Sequence, residues 1–163
     1  MRQSRDIEQV VRTYSDAVWR ACMLHAPSQA DAQDAFQDTF VKYAQSDGKR
    51  FNDPEHVKAW LIRVAVNRCK DMARSAARGN VTLEEANVAN WVVSSDSESQ
   101  PGSAEWEAVE AMRSLDDPPR TPLYLALCEG YSAQEIADQV GAPVGTVYSW
   151  ISRGKAQLRE ALS

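Results

Sequence analysis

The stretch VKAWLIRVAVNRCKDMARSAAR, from Val57 to Arg78, has two faces of opposite character when it is drawn as a helix. At about 100° per residue, apolar side chains fall on one side and polar or cationic side chains on the other. The apolar side consists of Val57, Leu61, Val64, Ala65 and Met72, and the cationic side of Arg63, Asn67, Lys70, Arg74 and Arg78. The segment carries +5 because only Asp71 opposes its lysines and arginines, whereas the whole chain carries −5.

A local excess of cations in an acidic chain indicates a negatively charged partner, of which a nucleic-acid backbone is the leading example. Trp60 lies at the edge of the cationic side, where its ring could stack on an unpaired base. The alternative is a solvated face on an ordinary core helix, with Trp60 buried. The rest of the sequence has to decide between the two.

The length and composition allow either one ordinary domain or two small ones, since 44% of the 163 residues are hydrophobic. No apolar run approaches the roughly 18 residues that span a bilayer, and the N-terminal residues lack the apolar stretch of a signal peptide. We therefore expect a cytoplasmic protein without membrane insertion.

The residues that usually carry catalysis or bind metals form no recognisable site. Cys22, Cys69 and Cys128 lie within apolar helical patterns, which is typical of small buried residues, and the two histidines add no zinc spacing. There is no Gly-rich phosphate loop, nucleophile elbow or paired-carboxylate site. We expect no catalytic residue, no metal and no cofactor, and hence no enzyme.

Two amphipathic helices precede the cationic one, from Asp6 to His25 and from about Asp31 to Ala44. After a loop from Ser46 to Asp53, Asp53-Pro54 supplies an N-cap and a first helical residue for the third helix. Three helices with short connections can share one core. The second helix turns outward an acidic, amide-bearing face with one apolar residue, which taken alone is plain surface: Asp34, Gln37, Asp38 and Val41.

The segment from Gly79 to Met112 contains no Lys or Arg and carries −7. Its polar tract SSDSESQPGS cannot bury enough apolar area to fold by itself, which predicts an acidic flexible linker. The sequence therefore predicts an all-α chain of two small helical domains, residues 1–79 and 103–163, joined by a linker at residues 80–102.

The second domain has the spacing of a helix-turn-helix. A helix from Trp106 to Leu115 comes first, and Thr121-Pro122 can start another, which covers Leu123 to Cys128. Ser132-Ala133-Gln134-Glu135 is then a capping box, which predicts a short helix from Ala133 to about Val140. Gly141-Ala142 makes the turn, and Pro143 opens the last helix. The predicted inward residues of the two helices are Ile136, Ala137, Val140, Val144, Val147, Ile151, Leu158 and Leu162.

The outward residues of the last helix favour contact with DNA, because the first turns of such a helix meet base edges and phosphates. A helical hairpin without DNA contact is the alternative. The candidate upstream DNA-binding residues are Thr146, Tyr148, Ser149, Ser152, Arg153 and Lys155.

Three stretches resemble the extracytoplasmic-function sigma factors of bacterial RNA polymerase. DAQDAFQDTFVKYA at Asp31 to Ala44 and VKAWLIRVAVNRCKD at Val57 to Asp71 are similar to the promoter-melting domain of that family. EGYSAQEIADQVGAPVGTVYSWISRGKAQLREAL at Glu129 to Leu162 is similar to its reader of the upstream promoter element. The stretches occur in the family's order, with a variable linker between the domains.

The resemblance implies a role for each feature. It implies that the face with Asp34, Gln37, Asp38 and Val41 docks on core polymerase, and that Asn67 helps to hold a flipped-out base of the downstream element beside the loop from Ser46 to Asp53. Trp60, Arg63, Lys70, Arg74 and Arg78 would bind DNA nearby. The linker would thread the active-site cleft of the polymerase, and an anti-sigma factor would hold the protein inactive.

The chain departs from the family pattern at the reading helix, where Tyr148 and Trp150 stand at places that usually carry Arg. Two other functions are weighed against promoter recognition. A free-standing helix-turn-helix regulator would bind duplex DNA without polymerase. A sigma-mimicking domain that sequesters an anti-sigma protein would carry a neutral or acidic face where Arg63, Lys70 and Arg74 stand.

Overall fold

The computed structural model describes residues 2–46, 51, 53–78 and 104–163 of the chain. For residues 78 and 104–106 it describes the backbone alone. Within these ranges every regular element is an α-helix. The chain divides into two compact units, residues 1–98 and 99–163. The all-α fold with two helical domains is confirmed, whereas the predicted linker lies outside the described residues.

The described part of the first unit contains three helices: α1 Ser4–His25, α2 Gln29–Ala44 and α3 Pro54–Arg78. Each packs on the other two, so that one core lies between them. The core contains side chains from all three helices, including the fully buried Val18, Cys22, Ala32, Ala35, Leu61, Ala65 and Cys69. Of the predicted apolar side of the Val57–Arg78 segment, Leu61 and Ala65 are fully buried, whereas Val57, Val64 and Met72 are half-buried. The buried Ile62, Val66 and Cys69 were not among the predicted residues.

Local capping residues determine where α2 and α3 begin. The Ser28 side chain accepts a hydrogen bond from the Asp31 amide at 3.1 Å, so α2 begins two residues before the predicted Asp31. Asp53 accepts a hydrogen bond from the His56 amide at 2.8 Å, which confirms the predicted N-cap. The Tyr14 hydroxyl donates to the Pro54 carbonyl at 3.0 Å and thereby ties α1 to the first turn of α3.

Four helices form the second unit in its described part: α4 Ala104–Met112, α5 Arg120–Leu127, α6 Ala133–Val140 and α7 Val144–Leu162. Its fully buried side chains are Val109, Met112, Leu123, Tyr124, Ile136 and Val147. α4 ends at Met112 rather than at the predicted Leu115, which is nevertheless buried in the following turn. α5 begins at Arg120, one residue before the predicted start at Thr121-Pro122, and Asp117 accepts hydrogen bonds from the amide and the hydroxyl of Thr121.

The helix-turn-helix is formed by α6 and α7 as predicted. The Ser132 side chain accepts from the Glu135 amide, and the Glu135 carboxylate accepts from the Ser132 amide, which completes the capping box. Gly141 ends α6 with a φ of 72°, a left-handed conformation that favours glycine. The connection to α7 is therefore specified by local sequence.

Three of the predicted inward residues of the motif are exposed. Val140 is 40% exposed, Val144 36% and Leu162 64%, whereas Val147 is fully buried. Val140 is the last residue of α6, and Val144 and Leu162 are the first and last residues of α7, so all three lie at helix ends. Apolar periodicity alone predicted the burial of these three side chains wrongly.

Gly154 in the middle of α7 has a packing role that the sequence did not reveal. A Cβ at this position would lie 3.1 Å from both Cβ and Cδ2 of Leu123 in α5. Gly154 is buried, and Leu123 is fully buried. The glycine therefore lets α7 and α5 approach closely, which outweighs its poor helix propensity.

In the part of the chain that the structure describes, no helix combines the length and the apolar character needed to cross a bilayer.

Candidate nucleic-acid interface

The cationic side of α3 points away from the core of the first unit. Arg63, Asn67 and Arg74 are exposed, and Lys70 is half-buried. Arg78 ends the helix, and its side chain lies outside the described part of the structure. The buried Leu61 and Ala65 on the opposite side hold the helix in this orientation. α3 therefore presents cations and one amide to solvent on a single face.

Arg63, Asn67 and Arg74 of this face are available to an outside partner. The side chains of Arg63 and Asn67 form no hydrogen bond or ion pair with any other residue in the described ranges. Arg74 pairs with Asp71 at 3.4 Å, and both side chains are more than 60% exposed. A pair in that setting contributes about 0–1 kcal/mol, so a phosphate can displace Asp71 at small cost.

An aromatic cluster lies beside the first turns of α3. The Phe51 ring is 5.6 Å from Trp60, 5.4 Å from His56 and 6.2 Å from Tyr43, measured between ring centroids. Trp60 is half-buried in this cluster, and its ring packs against the rings of Phe51 and Tyr43. The predicted stacking residue is therefore part of a group of rings.

Arg2 fastens the cluster to the N-terminus of the chain. Its guanidinium lies 4.5 Å from the Tyr43 ring centroid and 5.3 Å from that of Phe51, and it donates to the Ser46 carbonyl at 3.0 Å. The Tyr43 hydroxyl donates to Asp6, and burial followed by this bond raises the pKa of Tyr43. Sequence reasoning missed Arg2, Tyr43 and Phe51, because these contacts join residues that are far apart in the chain.

The acidic face of α2 is exposed at all four predicted residues, Asp34, Gln37, Asp38 and Val41. Val41 is 52% exposed and lies one helical turn after Gln37 and Asp38. The four residues thus form a continuous surface on the outer side of α2.

Arg68 joins the acidic face to α3. Its Nε donates to Asp38 Oδ2 at 2.9 Å, and this hydrogen bond is the main cause of the raised pKa of Arg68. Both side chains remain about half exposed, at 46% and 51%, so the pair contributes at most about 1 kcal/mol. Sequence reasoning counted Arg68 in the charge of α3 but did not predict this contact.

In the second unit, α7 presents its predicted DNA-contacting residues to solvent. Tyr148 is 64% exposed, and Thr146 is half-buried beside the fully buried Val147. The remaining four, Ser149, Ser152, Arg153 and Lys155, are all exposed. The helix therefore offers a polar and aromatic surface along its first half and cations from Arg153 onward.

The cysteines and acidic residues form no metal site in the ranges that the structure describes. Cys22 and Cys69 are fully buried free thiols, and Cys128 is half-buried. A side-chain hydrogen bond with Cys69, followed by burial, raises the pKa of Cys22 well above its usual range. Cys22 is therefore a protonated core residue.

Two family profiles match the chain. Sigma-70 region 2 matches residues 10–79, which include most of α1 and all of α2 and α3. Sigma-70, region 4 matches residues 106–158, which include α6 and all but the last turn of α7. The two regions together cover most of the chain and follow each other in the predicted order.

Several relatives resemble the chain over nearly its whole length. RNA polymerase sigma-E factor of Streptomyces avermitilis is 30% identical over 158 residues, which cover 96% of this chain and 85% of the relative. ECF RNA polymerase sigma factor SigE of Mycolicibacterium smegmatis is also 30% identical, but the chain spans only 61% of its length. RNA polymerase sigma-H factor of Pseudomonas aeruginosa is 31% identical over 142 residues, with 81% and 73% of the two chains covered.

Two solved structures share the fold. The sigma factor RpoE of Bartonella quintana, in complex with the anti-sigma factor NepR, superposes with a TM-score of 0.74 over 97% of both chains at 23% identity. CnrH in complex with the cytosolic domain of CnrY has a TM-score of 0.67 at 25% identity, over 98% of this chain and 89% of that one.

Proposed function

We infer the function from one premise, that the chain belongs to the extracytoplasmic-function sigma factors of bacterial RNA polymerase. It directs core polymerase to specific promoters and initiates transcription there. It acts as a regulatory subunit in the cytoplasm, and the chemistry of RNA synthesis belongs to the core enzyme. The observation that carries this function is that a three-helix unit and a helix-turn-helix, each matching its sigma-70 region, occur in one chain in this order.

We propose that residues 1–79 bind polymerase and melt the downstream promoter element, and that residues 103–163 bind the upstream element. Residues 80–102 connect them as an acidic linker. In the first domain Arg63, Lys70, Arg74 and Arg78 hold the DNA backbone, since cations position a protein on DNA without reading sequence. The exposed Asn67 among them hydrogen-bonds a flipped-out base, and Trp60 supplies an aromatic surface beside it.

The acidic face of α2 is the proposed contact with core polymerase. Asp34 and Asp38 supply charge, Gln37 supplies an amide and Val41 supplies an exposed apolar contact. Charge complementarity sets the rate and specificity of such encounters, and the apolar residue adds buried area. This surface lies on a different helix from the DNA-binding side chains of α3, so both can be occupied at once.

The second domain contacts the upstream element through α7. Arg153 and Lys155 bind phosphates, while Thr146, Tyr148, Ser149 and Ser152 face the bases. An anti-sigma factor is a further partner. The solved sigma factor of Bartonella quintana is bound to such a protein, which supports this assignment.

Transcription in vitro from genomic fragments, with purified core polymerase and the full chain, tests the proposal. We expect discrete transcripts that require the added chain. A sigma-mimicking domain would yield none, and the exposed Arg63 and Arg74 already speak against it. A free-standing regulator would act on duplex DNA without changing the promoter choice of core enzyme, so an absence of chain-dependent transcripts would overturn the proposed function.

A further inference from the structure

The first half of α7 carries no charged residue. From Val144 to Ser152 the sequence is VGTVYSWIS, and Arg153 is the first cation of the helix. The exposed positions of this half are Val144, Gly145, Tyr148, Ser149 and Ser152. The half also lacks Asn and Gln. It therefore offers apolar, aromatic and hydroxyl groups where a recognition helix meets the bases.

Two apolar side chains on this half form one surface. Val144 is 36% exposed and Tyr148 is 64% exposed. They lie four residues apart on a helix and are thus neighbours on the same face. A Cβ on Gly145 would meet no described atom within 4 Å, so the surface beside them is open. The backbone of the first turn can approach a partner closely there.

The chemistry of the base edges decides what such a surface reads. In the major groove guanine is read by Arg or Lys, adenine by Asn or Gln, cytosine by Glu or Asp, and the 5-methyl group of thymine by apolar contact, whereas Ser and Thr contact more than one base. The exposed first half of α7 has the hydroxyls of Ser149 and Ser152, which do not select one base, and of the base-selective side-chain classes it has only the apolar one. We propose that Tyr148, together with Val144, reads thymine methyl groups in the upstream promoter element.

This inference rests on the proposed function and adds a specificity to it. At the positions beneath Tyr148 and Val144 the protein prefers T·A pairs to G·C pairs. Arg153 and Lys155 bind the backbone and set affinity rather than sequence. Tyr148 is consequently a specificity-determining residue for promoter choice.

Selection of DNA by the holoenzyme is the first experiment. Core polymerase with the full chain is mixed with promoter duplexes that are randomised in the upstream element, and bound duplexes are sequenced. We expect thymine to be enriched at neighbouring positions in the wild-type pool. In the Tyr148→Ser pool that enrichment is lost. An element dominated by guanine in both pools overturns the inference.

Removal of the methyl group is the second experiment. Replacing one selected thymine with deoxyuridine removes only the methyl, and we expect an affinity loss of about fourfold, which corresponds to about 0.8 kcal/mol for burying one such group. Tyr148→Ser holoenzyme should bind thymine and uracil duplexes equally. Lys155→Ala is the matched control, because loss of a phosphate contact weakens binding to both duplexes alike.

The outcomes separate this inference from the function on which it rests. A uracil penalty that persists in Tyr148→Ser overturns the role of Tyr148. Tyr148→Ser holoenzyme with unchanged DNA binding overturns it too, and assigns the exposed ring to a protein contact. Because Tyr148 is exposed, the variant should fold, which circular dichroism checks. If wild-type holoenzyme selects no duplex at all, the proposed function fails together with the inference.

Discussion

At the scale of single residues, Asn67 is the neutral side chain among the cations of α3. It is exposed and forms no hydrogen bond in the described structure, so its removal leaves no buried group unsatisfied. We predict that Asn67→Ala lowers promoter-dependent transcription about fivefold, since a hydrogen bond to a base contributes about 1 kcal/mol. Abortive transcription with reconstituted holoenzyme measures this.

Binding to core polymerase should be unchanged in Asn67→Ala. Ser75→Ala, an exposed substitution on another side of α3, is the matched control and should retain full transcription. Loss of core binding in Asn67→Ala would contradict the assignment, because the residue would then act in assembly.

Replacement of Asp34 and Asp38 tests the contact with core polymerase rather than the contact with DNA. Replacing both with Lys reverses the charge of the acidic face and breaks the pair between Asp38 and Arg68. We predict a loss of core binding of at least tenfold, measured by fluorescence anisotropy of the labelled chain, with stability changed by no more than about 1 kcal/mol.

The control carries the same change of charge elsewhere. Glu8 and Asp16 are exposed on α1, and their double replacement by Lys alters the net charge equally. This control should bind core polymerase like the wild type. Equal binding by the two double variants would remove α2 from the interface.

At the scale of helices, two glycines of α7 should respond to alanine in opposite directions. In Gly154→Ala the new Cβ meets the buried Leu123, and we predict a net loss of about 1 kcal/mol despite the better helix propensity. In Gly145→Ala the Cβ enters open space, and a gain of about 0.5 kcal/mol is expected.

Amide hydrogen exchange of Ile136 and Val147 in the full chain reports the stability of the second unit specifically. Both residues are fully buried there. Slower exchange in Gly154→Ala than in the wild type would show that α5 and α7 do not need the close approach.

The buried thiol of Cys22 couples the packing of α1 and α3 to pH. An unfolded thiol loses its proton near its ordinary pKa of 9.0, whereas the hydrogen bond with Cys69 and burial keep Cys22 protonated in the fold. Above about pH 9 the unfolded chain therefore binds fewer protons, and the free energy of unfolding falls as pH rises. We predict a shallower fall in Cys22→Ala.

Urea unfolding at pH 8 and pH 10 measures that slope. The change in the free energy of unfolding between the two pH values is compared across the variants, rather than the free energy at a single pH. Tyr14 and Tyr43 also have raised pKa values, and burial lowers the pKa of Arg113 to about 10. Because the wild type and Cys22→Ala share these groups, the difference between their slopes reports Cys22. Cys128→Ala, at a half-buried position of the second unit, is the control. An unchanged slope in Cys22→Ala would contradict the prediction.

At the scale of the whole molecule, charge separates binding to DNA from binding to polymerase. The cationic stretch of α3 belongs to a chain with a net charge of −5. Nonspecific affinity for DNA grows with the number of phosphate contacts and is weakened by the surrounding acidic residues. We predict that the free chain does not shift a promoter fragment at physiological salt in a gel-shift assay. The fragment should shift once core polymerase is added.

A fragment without a promoter is the control in that assay. Tight binding of the promoter by the free chain would favour the free-standing regulator instead.

Local patterns predicted the parts of this molecule that depend on neighbours in sequence. The capping box at Ser132 and Glu135, the turn at Gly141 and the N-cap at Asp53 are all formed as predicted, because each needs only a few consecutive residues. The exposed cationic side of α3 followed from its helical period in the same way.

Contacts between distant residues could not be predicted. Arg2 reaches the Tyr43 ring and Arg68 reaches Asp38 only after the helices have packed, and no spacing in the chain encodes either contact. In the sequence Gly154 is only a residue of low helix propensity, and its packing role follows from its distance to Leu123. The wrong inward assignments of Val140 and Val144 have a related cause, since both lie at helix ends, where periodicity alone does not decide burial.

The open surface on the first half of α7 has a consequence for how such proteins diversify. Val144, Gly145, Tyr148, Ser149 and Ser152 are exposed, while Val147 and Gly154 hold the helix in place. Mutations can therefore accumulate at the former positions while the scaffold stays intact. A duplicated gene could acquire a new regulon by a few such changes, and the same positions are the natural targets for building orthogonal genetic circuits.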